Sequence, residues 1–264
     1  MASRSRSFDR AAPFYDRTRG LSPAATTQLS DQLAGELRGR GRCLEIGVGT
    51  GRIAWPLHQR GVELVGVDLS RPMMAVLVEK ADGAPFPLVQ GDATALPLAD
   101  ASFGAGLASH VFHLIPDWPA ALDELLRVVR PGGLLAISHG RRDGGDLGDV
   151  LLSSVRHRFR VELADDRAHH PGCDEEQDEV GEALAARGAH RRSLPEVPVE
   201  RTATAGALID GLEAGQWSWT WDVAPDALAA AAARTRAWAA AEYGPLDQPV
   251  VVRAAVRWDA FDLP

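Results

Sequence analysis

The chain has 264 residues, a formal net charge of −8 and a sequence isoelectric point near 5.5. Its length and its 45% apolar composition fit a soluble domain with a real core. An acidic chain is a poor general nucleic-acid binder, because neutralising phosphates requires a basic surface. Its two cysteines, Cys43 and Cys173, form neither a disulfide framework nor a zinc cluster. We therefore expect no nucleic-acid partner and no metal.

The sequence also contains no targeting or membrane-spanning pattern. Residues 1–15 are polar and arginine-bearing, without the apolar core of a secretory signal. No window approaches about 18 consecutive apolar residues, the length of a membrane span. We therefore expect a cytoplasmic protein that does not associate with membranes.

The first 140 residues alternate between helical patterns and short apolar segments. A helix is predicted over 23–38, where Leu29, Leu33 and Leu37 recur every four residues. The segments that follow are predicted to be a strand at 43–46, a helix at 52–60, strands at 62–67, 88–89, 103–109 and 134–138, and helices at 71–81 and 118–130. Strands that are apolar on both faces and alternate with helices predict a parallel sheet covered on each side.

After about residue 140 the alternation stops. Helices are predicted at 150–163, 174–187, 203–214 and 225–243, and strands at 194–202 and 249–258. Trp217, Trp219 and Trp221 alternate with small polar residues, which in an extended segment would put three indoles on one side. They would either line an apolar pocket or pack a lid onto the sheet.

A glycine loop and two acids mark the candidate site. The run G-x-G-x-G at 47–51 follows a strand, and it differs from the spacing of dinucleotide sites and P-loops. Asp68 and Asp92 end the next two strands. An acid at the end of the second strand is placed to accept hydrogen bonds from ribose hydroxyls. The alternative is that each acid only caps a helix.

Four stretches in this order resemble the class I S-adenosylmethionine (SAM)-dependent methyltransferases, in the group that includes ubiquinone/menaquinone C-methyltransferases. They are 44–52 (LEIGVGTGR), 66–70 (GVDLS), 91–103 (GDATALPLADASF) and 125–138 (LLRVVRPGGLLAIS). The resemblance implies an α/β, Rossmann-like, doubly wound, mostly parallel seven-stranded sheet with helices on both faces. It also implies SAM as cofactor and S-adenosylhomocysteine (SAH) as product, without a metal.

We expect a single compact domain overall with two regions. Residues 1–140 would form an N-terminal helical arm and the SAM-binding core. Residues 141–264 would supply the remaining strands and an inserted helical lid that recognises the substrate.

The resemblance assigns cofactor roles to residues of this sequence. The arm would fold Tyr15 over SAM with help from Arg19, unless Tyr15 is only a surface aromatic that anchors the arm. The other implied cofactor residues are Glu45, Gly47, Gly49 and Gly51 at the methionine portion, Asp68 at the ribose, Leu69, Met73, Asp92 and Ala93 at the adenine, and Ser109 at the sulfonium.

Methyl transfer from a sulfonium is an in-line displacement, so the main task of the protein is alignment. A base is needed only when the nucleophile carries a proton. His110 and His113 follow the fourth strand and are the candidate catalytic bases, since histidine titrates in the useful range. The alternative is that this segment packs around SAM.

We therefore expect a SAM-dependent methyltransferase that moves a methyl group to an O, N or C atom of a small organic molecule, with secondary metabolism as one setting. It would be a monomer or a homodimer. Two alternatives stay open: a SAM-binding relative that acts as a cyclase or other non-methylating enzyme, and a methyltransferase acting on RNA or protein.

Overall fold

The secondary structure comes from a computed structural model that describes residues 7–143, 145–163 and 173–264. The strands are β1 (Cys43–Ile46), β2 (Leu64–Asp68), β3 (Leu88–Gln90), β4 (Phe103–Ala108), β5 (Val129–Asp143), β6 (His190–Ser193), β7 (Val197–Ala203) and β8 (Val250–Asp262). The α-helices are α1 (Tyr15–Arg19), α2 (Pro23–Leu37), α3 (Ala54–His58), α4 (Arg71–Lys80), α5 (Trp118–Val128), α6 (Leu147–Glu162), α7 (Cys173–Ala186), α8 (Ala205–Glu213) and α9 (Pro225–Tyr243). Short 3-10 turns cover Asp9–Ala11, Phe112–Leu114 and Ser218–Thr220.

Helix starts follow local side-chain chemistry. The Ser22 hydroxyl accepts the N–H of Ala25 at the start of α2, and the Ser70 hydroxyl accepts the N–H of Met73 at the start of α4, both at 3.2 Å. Each helix also has a proline in its first turn, where the missing N–H costs nothing. The cap at Ser70 fixes where α4 leaves the end of β2.

The sheet has the strand order β3-β2-β1-β4-β5-β8-β6, and β7 pairs with β8. The pairs from β3 to β5 are parallel, and β6 runs antiparallel to β8. The predicted α/β class with a mostly parallel sheet is confirmed. Because the strand order reverses between β1 and β4, their carboxyl ends form the crevice in which open α/β sheets bind ligands.

Among the described residues, the sheet has eight strands, one more than the seven predicted from the sequence. The unpredicted strand is β6, whose sequence HRRS is mostly exposed and carries no apolar alternation. Its register with Asp259–Asp262 of β8 makes it a strand. The polar sequence of β6 therefore gave no local signal for a strand.

Residues 131–133, a proline and two glycines between the predicted helix at 118–130 and the predicted strand at 134–138, lie inside β5. In the pairing with β4, Phe103 is opposite Val129 and Ala105 is opposite Leu134. The proline and two glycines between Val129 and Leu134 therefore form an irregularity near the start of β5. Strand structure begins at Val129, and α5 therefore ends at Val128, two residues earlier than predicted.

The prediction that Trp217, Trp219 and Trp221 lie in an extended segment is wrong. Ser218–Thr220 is a 3-10 turn, and the Thr220 hydroxyl donates to the carbonyl of Trp217 at 2.7 Å. The Trp221 indole N–H donates to the carbonyl of Gly215 at 2.9 Å. These short-range bonds curl the backbone, so the three indoles do not alternate along a strand.

The chain divides into two compact units. The first consists of Met1–Arg141, Pro171–Val197 and Val256–Pro264, and the second of Arg142–His170 and Pro198–Ala255. The first is built on the strands β1 to β5. The second is built on α6, α8 and α9, whose buried side chains include Leu152, Val155, Phe159, Ile209, Leu212, Ala231 and Ala232. Whether these helices form a lid stays a prediction.

Within the described ranges, every helix is too short or too polar to cross a membrane.

Candidate active site

The glycine loop follows β1 in a backbone conformation that favours glycine. Gly47, Gly49 and Gly51 have φ angles of 69°, 51° and 70°. A Cβ atom on Gly47 would lie 2.6 Å from the Val111 side chain, and one on Gly51 would lie 2.5 Å from Leu77. Both the positive φ and the close side chains disfavour a larger residue at Gly47 and Gly51. The loop therefore turns tightly and leaves its main chain open to close approach.

Asp68 connects this loop to the start of α4. Its Oδ2 accepts the N–H of Gly49, and its Oδ1 accepts the N–H of Ser70, both at 2.7 Å. Burial raises the pKa of the Asp68 carboxyl, while these two hydrogen bonds oppose that shift. The cap of α4 is Ser70, so Asp68 does not have that role. A carboxylate accepts up to about four hydrogen bonds, so Asp68, which also accepts from the backbone of Leu69, has capacity for a ligand hydroxyl.

Glu45 is the third residue of β1, and its side chain is buried, 2% exposed. Burial raises its pKa to about 8, the Arg52 guanidinium opposes that shift, and the charge of Asp68 adds to it. Within the described part of the chain, Glu45 Oε2 has no hydrogen-bond partner. A buried carboxylate oxygen without a donor is costly, and a ligand ammonium would satisfy it. The role of this acceptor at the methionine portion of SAM stays a prediction.

The residues predicted for the adenine lie at the ends of β2 and β3. Met73 is buried, and its methyl carbon is 3.2 Å from the position a Cβ on Gly49 would take. Asp92 is half-buried, and its Oδ1 accepts both the N–H (3.0 Å) and the hydroxyl (2.9 Å) of Thr94. Leu69 is half-buried, and Ala93 packs on the core of the first unit. The structure thus brings Met73 beside the glycine loop.

The two candidate histidines follow β4 and differ in environment. His110 has a φ of 52°, an unusual backbone conformation for a residue with a side chain. His113 lies in the turn Phe112–Leu114, and its Nδ1 has no hydrogen-bond partner among the described residues. Burial and the nearby Arg19 lower the pKa of His113 to about 4. Because a group with so low a pKa accepts a proton weakly at neutral pH, its environment favours packing over base catalysis.

The N-terminal arm is held against the glycine loop. Asp16 accepts the Thr50 hydroxyl at 2.5 Å and pairs with the ammonium of Lys80, on α4, at 2.8 Å. The half-buried Tyr15 ring meets the Phe8 ring edge-on, with 6.3 Å between centroids. The arm thus reaches the site, while the placing of Tyr15 over SAM stays a prediction.

Sequence reasoning missed Arg52. Its Nη1 donates to the carbonyl of Arg19 at 3.0 Å, and its Nη2 donates to the Ser109 hydroxyl at 3.2 Å. The one available signal was its position directly after Gly51, inside the stretch 44–52. An arginine beside a glycine loop is by default a solvated residue, so position alone did not single it out.

In the parts of the chain that the structure describes, no three His, Cys, Asp or Glu side chains come together as metal ligands would.

Comparisons with known proteins agree with this architecture. A family profile described as "Methyltransferase domain" matches residues 44–137. An uncharacterized methyltransferase of Mycobacterium sp. is 32% identical over 215 residues, which cover 80% of this chain and 79% of that protein. The demethylmenaquinone methyltransferase of Thermus thermophilus is 39% identical over 100 residues, 36% of this chain and 46% of that protein.

The match to the first curated relatives is partial. The chain spans from 26% to 58% of the length of the first five it matches. Among solved structures, the YcgJ protein of Bacillus subtilis aligns with a TM-score of 0.56 at 18% identity, covering 91% of this chain and 99% of that one. That likeness shows a shared Rossmann-like fold. The Mycobacterium relative, aligned over most of both chains, shows the family: this chain belongs to the class I SAM-dependent methyltransferases.

Proposed function

We propose that this protein binds SAM at the carboxyl ends of β1 to β4 and transfers its methyl group to a small organic molecule. The observation that carries the proposal is the buried Glu45 carboxyl, whose Oε2 has no partner among the described residues. Glu45 precedes the glycine loop, in which the N–H of Gly49 donates to Asp68. Its strand, β1, lies beside β4, where the strand order reverses. An ammonium and a vicinal diol, both present in SAM, match these acceptors.

The residues of this chain would divide the binding task. Glu45 would hold the ammonium, Asp68 the ribose hydroxyls, and Met73 the apolar adenine face. Gly47, Gly49 and Gly51 would let the ligand approach the main chain. When bound, SAM supplies an electrophilic methyl on a positively charged sulfur. The protein then holds the acceptor in line with that bond and keeps water out.

His110 is the better candidate for taking a proton from the acceptor. It follows the buried Ser109 at the end of β4, at the crevice between β1 and β4. His113 is the weaker candidate, since its pKa of about 4 makes it a poor base at neutral pH. An acceptor that carries no proton on its nucleophilic atom would need neither residue.

Two observations support a small substrate over RNA or protein. The net charge is −8, which disfavours a polyanion. A relative that matches part of this chain is named for demethylmenaquinone, a small molecule. The cytoplasmic location and the monomeric or homodimeric state belong to the same proposal.

Thermal unfolding tests the cofactor assignment. Saturating SAM or SAH should raise the melting temperature by roughly 5–10 °C, because a ligand that binds only the folded state stabilises it by mass action. Asp68→Ala should lose most of that shift. The matched control is Asp100→Ala, which removes an exposed acid paired with Arg127 and should keep the shift. If millimolar SAH leaves the wild-type melting temperature unchanged, SAM binding is excluded.

Methyl-labelled SAM tests the substrate class. Incubation with small phenols, amines and quinols should label a small molecule. Label that enters only RNA or protein would contradict the proposal.

A further inference from the structure

One guanidinium joins three segments of the first unit. Arg52 follows the glycine loop, and its Nη1 bonds the carbonyl of Arg19, the last residue of the arm helix α1. Its Nη2 bonds the hydroxyl of Ser109, which is 8% exposed at the end of β4. The forked geometry of arginine allows both bonds at once, which a lysine cannot match. A cation at a helix C-terminus is also electrostatically favourable.

The same side chain bonds next to β1, because Ser109 follows Ala108, which pairs with Ile46, the neighbour of Glu45. The Arg52 charge favours the ionised form of this carboxyl, while burial and the charge of Asp68 disfavour it. Cys43, on β1 beside Glu45, is buried, and burial raises the pKa of its thiol, so it adds no charge. Arg52 is therefore the cationic group that opposes the desolvation of Glu45.

We propose that Arg52 is a positioning residue that ties the N-terminal arm to the end of β4 beside the cofactor site and favours the ionised form of Glu45, the acceptor for a ligand ammonium. The part that concerns the ligand rests on the proposed function. Arg52 acts through Arg19, Ser109 and Glu45. Loss of its charge should thus disturb the arm and the ligand acceptor together.

Limited proteolysis measures the first effect. Trypsin cleavage after Arg17 and Arg19, followed by mass spectrometry, should be about tenfold faster in Arg52→Gln, because a lost charge-assisted hydrogen bond raises the population of the open arm. Arg60→Gln is the matched control. Arg60 likewise donates to one side chain, the Asp31 carboxylate, and to the backbone carbonyls of Pro56 and Thr27. None of these is a predicted cofactor residue. Its arm cleavage should equal that of the wild type.

The pH dependence of SAH affinity measures the second effect, which a merely structural role would not produce. Glu45 must lose its proton to hold an ammonium, so wild-type affinity should rise about tenfold per pH unit, with the midpoint of this rise near pH 8, and should fall again once the SAH ammonium loses its own proton. In Arg52→Gln the midpoint should move up by about one pH unit. Arg60→Gln should keep the wild-type midpoint, and Glu45→Gln should flatten the profile.

Arg52→Lys separates the two effects and covers the case in which Arg52→Gln fails to fold. It keeps the charge, so the midpoint should stay near the wild-type value, but it loses one bond, so arm cleavage should still rise. Wild-type cleavage or a wild-type midpoint in a folded Arg52→Gln variant would overturn the proposal. If the wild-type protein binds no SAH at any pH, the proposed function fails, and the cleavage comparison still decides whether Arg52 holds the arm.

Discussion

At the scale of single residues, His113 shows how burial ties stability to pH. Its pKa is about 4 in the folded protein, against 6.5 for an exposed histidine. The unfolded chain therefore binds a proton in a window where the folded chain does not. The free energy of unfolding is therefore independent of this group above about pH 6.5. It falls as the pH drops toward about 4, by roughly 3 kcal/mol in total.

His113→Phe should remove that pH dependence. Between pH 6.5 and 5, the free energy of unfolding of the wild type should fall by roughly 2 kcal/mol more than that of the variant, as measured by urea titration at each pH. The control is His190→Gln, because His190 is exposed on β6. The free energy of unfolding of this variant should change with pH as that of the wild type does. Parallel pH profiles for wild type and His113→Phe would contradict this account.

At the scale of elements, the arm is fixed by a few polar contacts. Asp16 joins it both to Thr50 in the glycine loop and to Lys80 on α4. Exposed ion pairs contribute little each, so such a segment opens more easily than the core. Opening of the arm should therefore be measurable in the folded protein.

Lys80 gives a direct readout, because it is the one lysine in the sequence. Asp16→Asn should increase the rate at which an acetylating reagent modifies the Lys80 amine severalfold, because the amine loses the ion pair that holds it against the arm and becomes more accessible to the reagent. The rate is read by mass spectrometry. Asp31→Asn, which removes an acid paired with Arg60, should leave it unchanged. Equal rates in wild type and Asp16→Asn would show that the Lys80 amine does not depend on this contact.

The elements with strong local signals were predictable, and those defined by distant partners were not. In α2 the leucines spaced four residues apart correctly predicted the buried face of the helix, since Leu29, Leu33 and Leu37 are at most 3% exposed. The glycine loop was readable because its positive φ angles restrict the residue type. The strand β6 was not, because its pairing with β8 decides its structure. Neither was the role of Arg52, which depends on contacts 33 and 57 residues away.

At the scale of the whole molecule, the first unit is assembled from three separate stretches of chain. Its core includes Val180 and Leu184 from α7 and Phe261 from β8, all fully buried. Arg192 of β6 pairs with Glu36 of α2 and Asp262 of β8, each at 2.8 Å. The late segments are therefore structural parts of the cofactor-binding unit.

A fragment ending at residue 141 should consequently not fold on its own. Each lost core side chain contributes roughly 2 kcal/mol, so the three together approach the whole stability of a typical domain. In urea the fragment should lack a cooperative transition, and SAH should not stabilise it, whereas the full chain should show both. A cooperative transition of the fragment near the wild-type midpoint would contradict this prediction.

The left-handed backbone conformation at His110 also limits which residue types are tolerated at this position. A φ of 52° costs most residues about 1–2 kcal/mol, and glycine, asparagine and aspartate tolerate it best. A saturation library at this position, sorted for folded protein alone, should be enriched in those three residues and depleted of valine and isoleucine. Sorting for turnover instead would show whether the imidazole itself is under selection, because only then would histidine be recovered against the backbone preference.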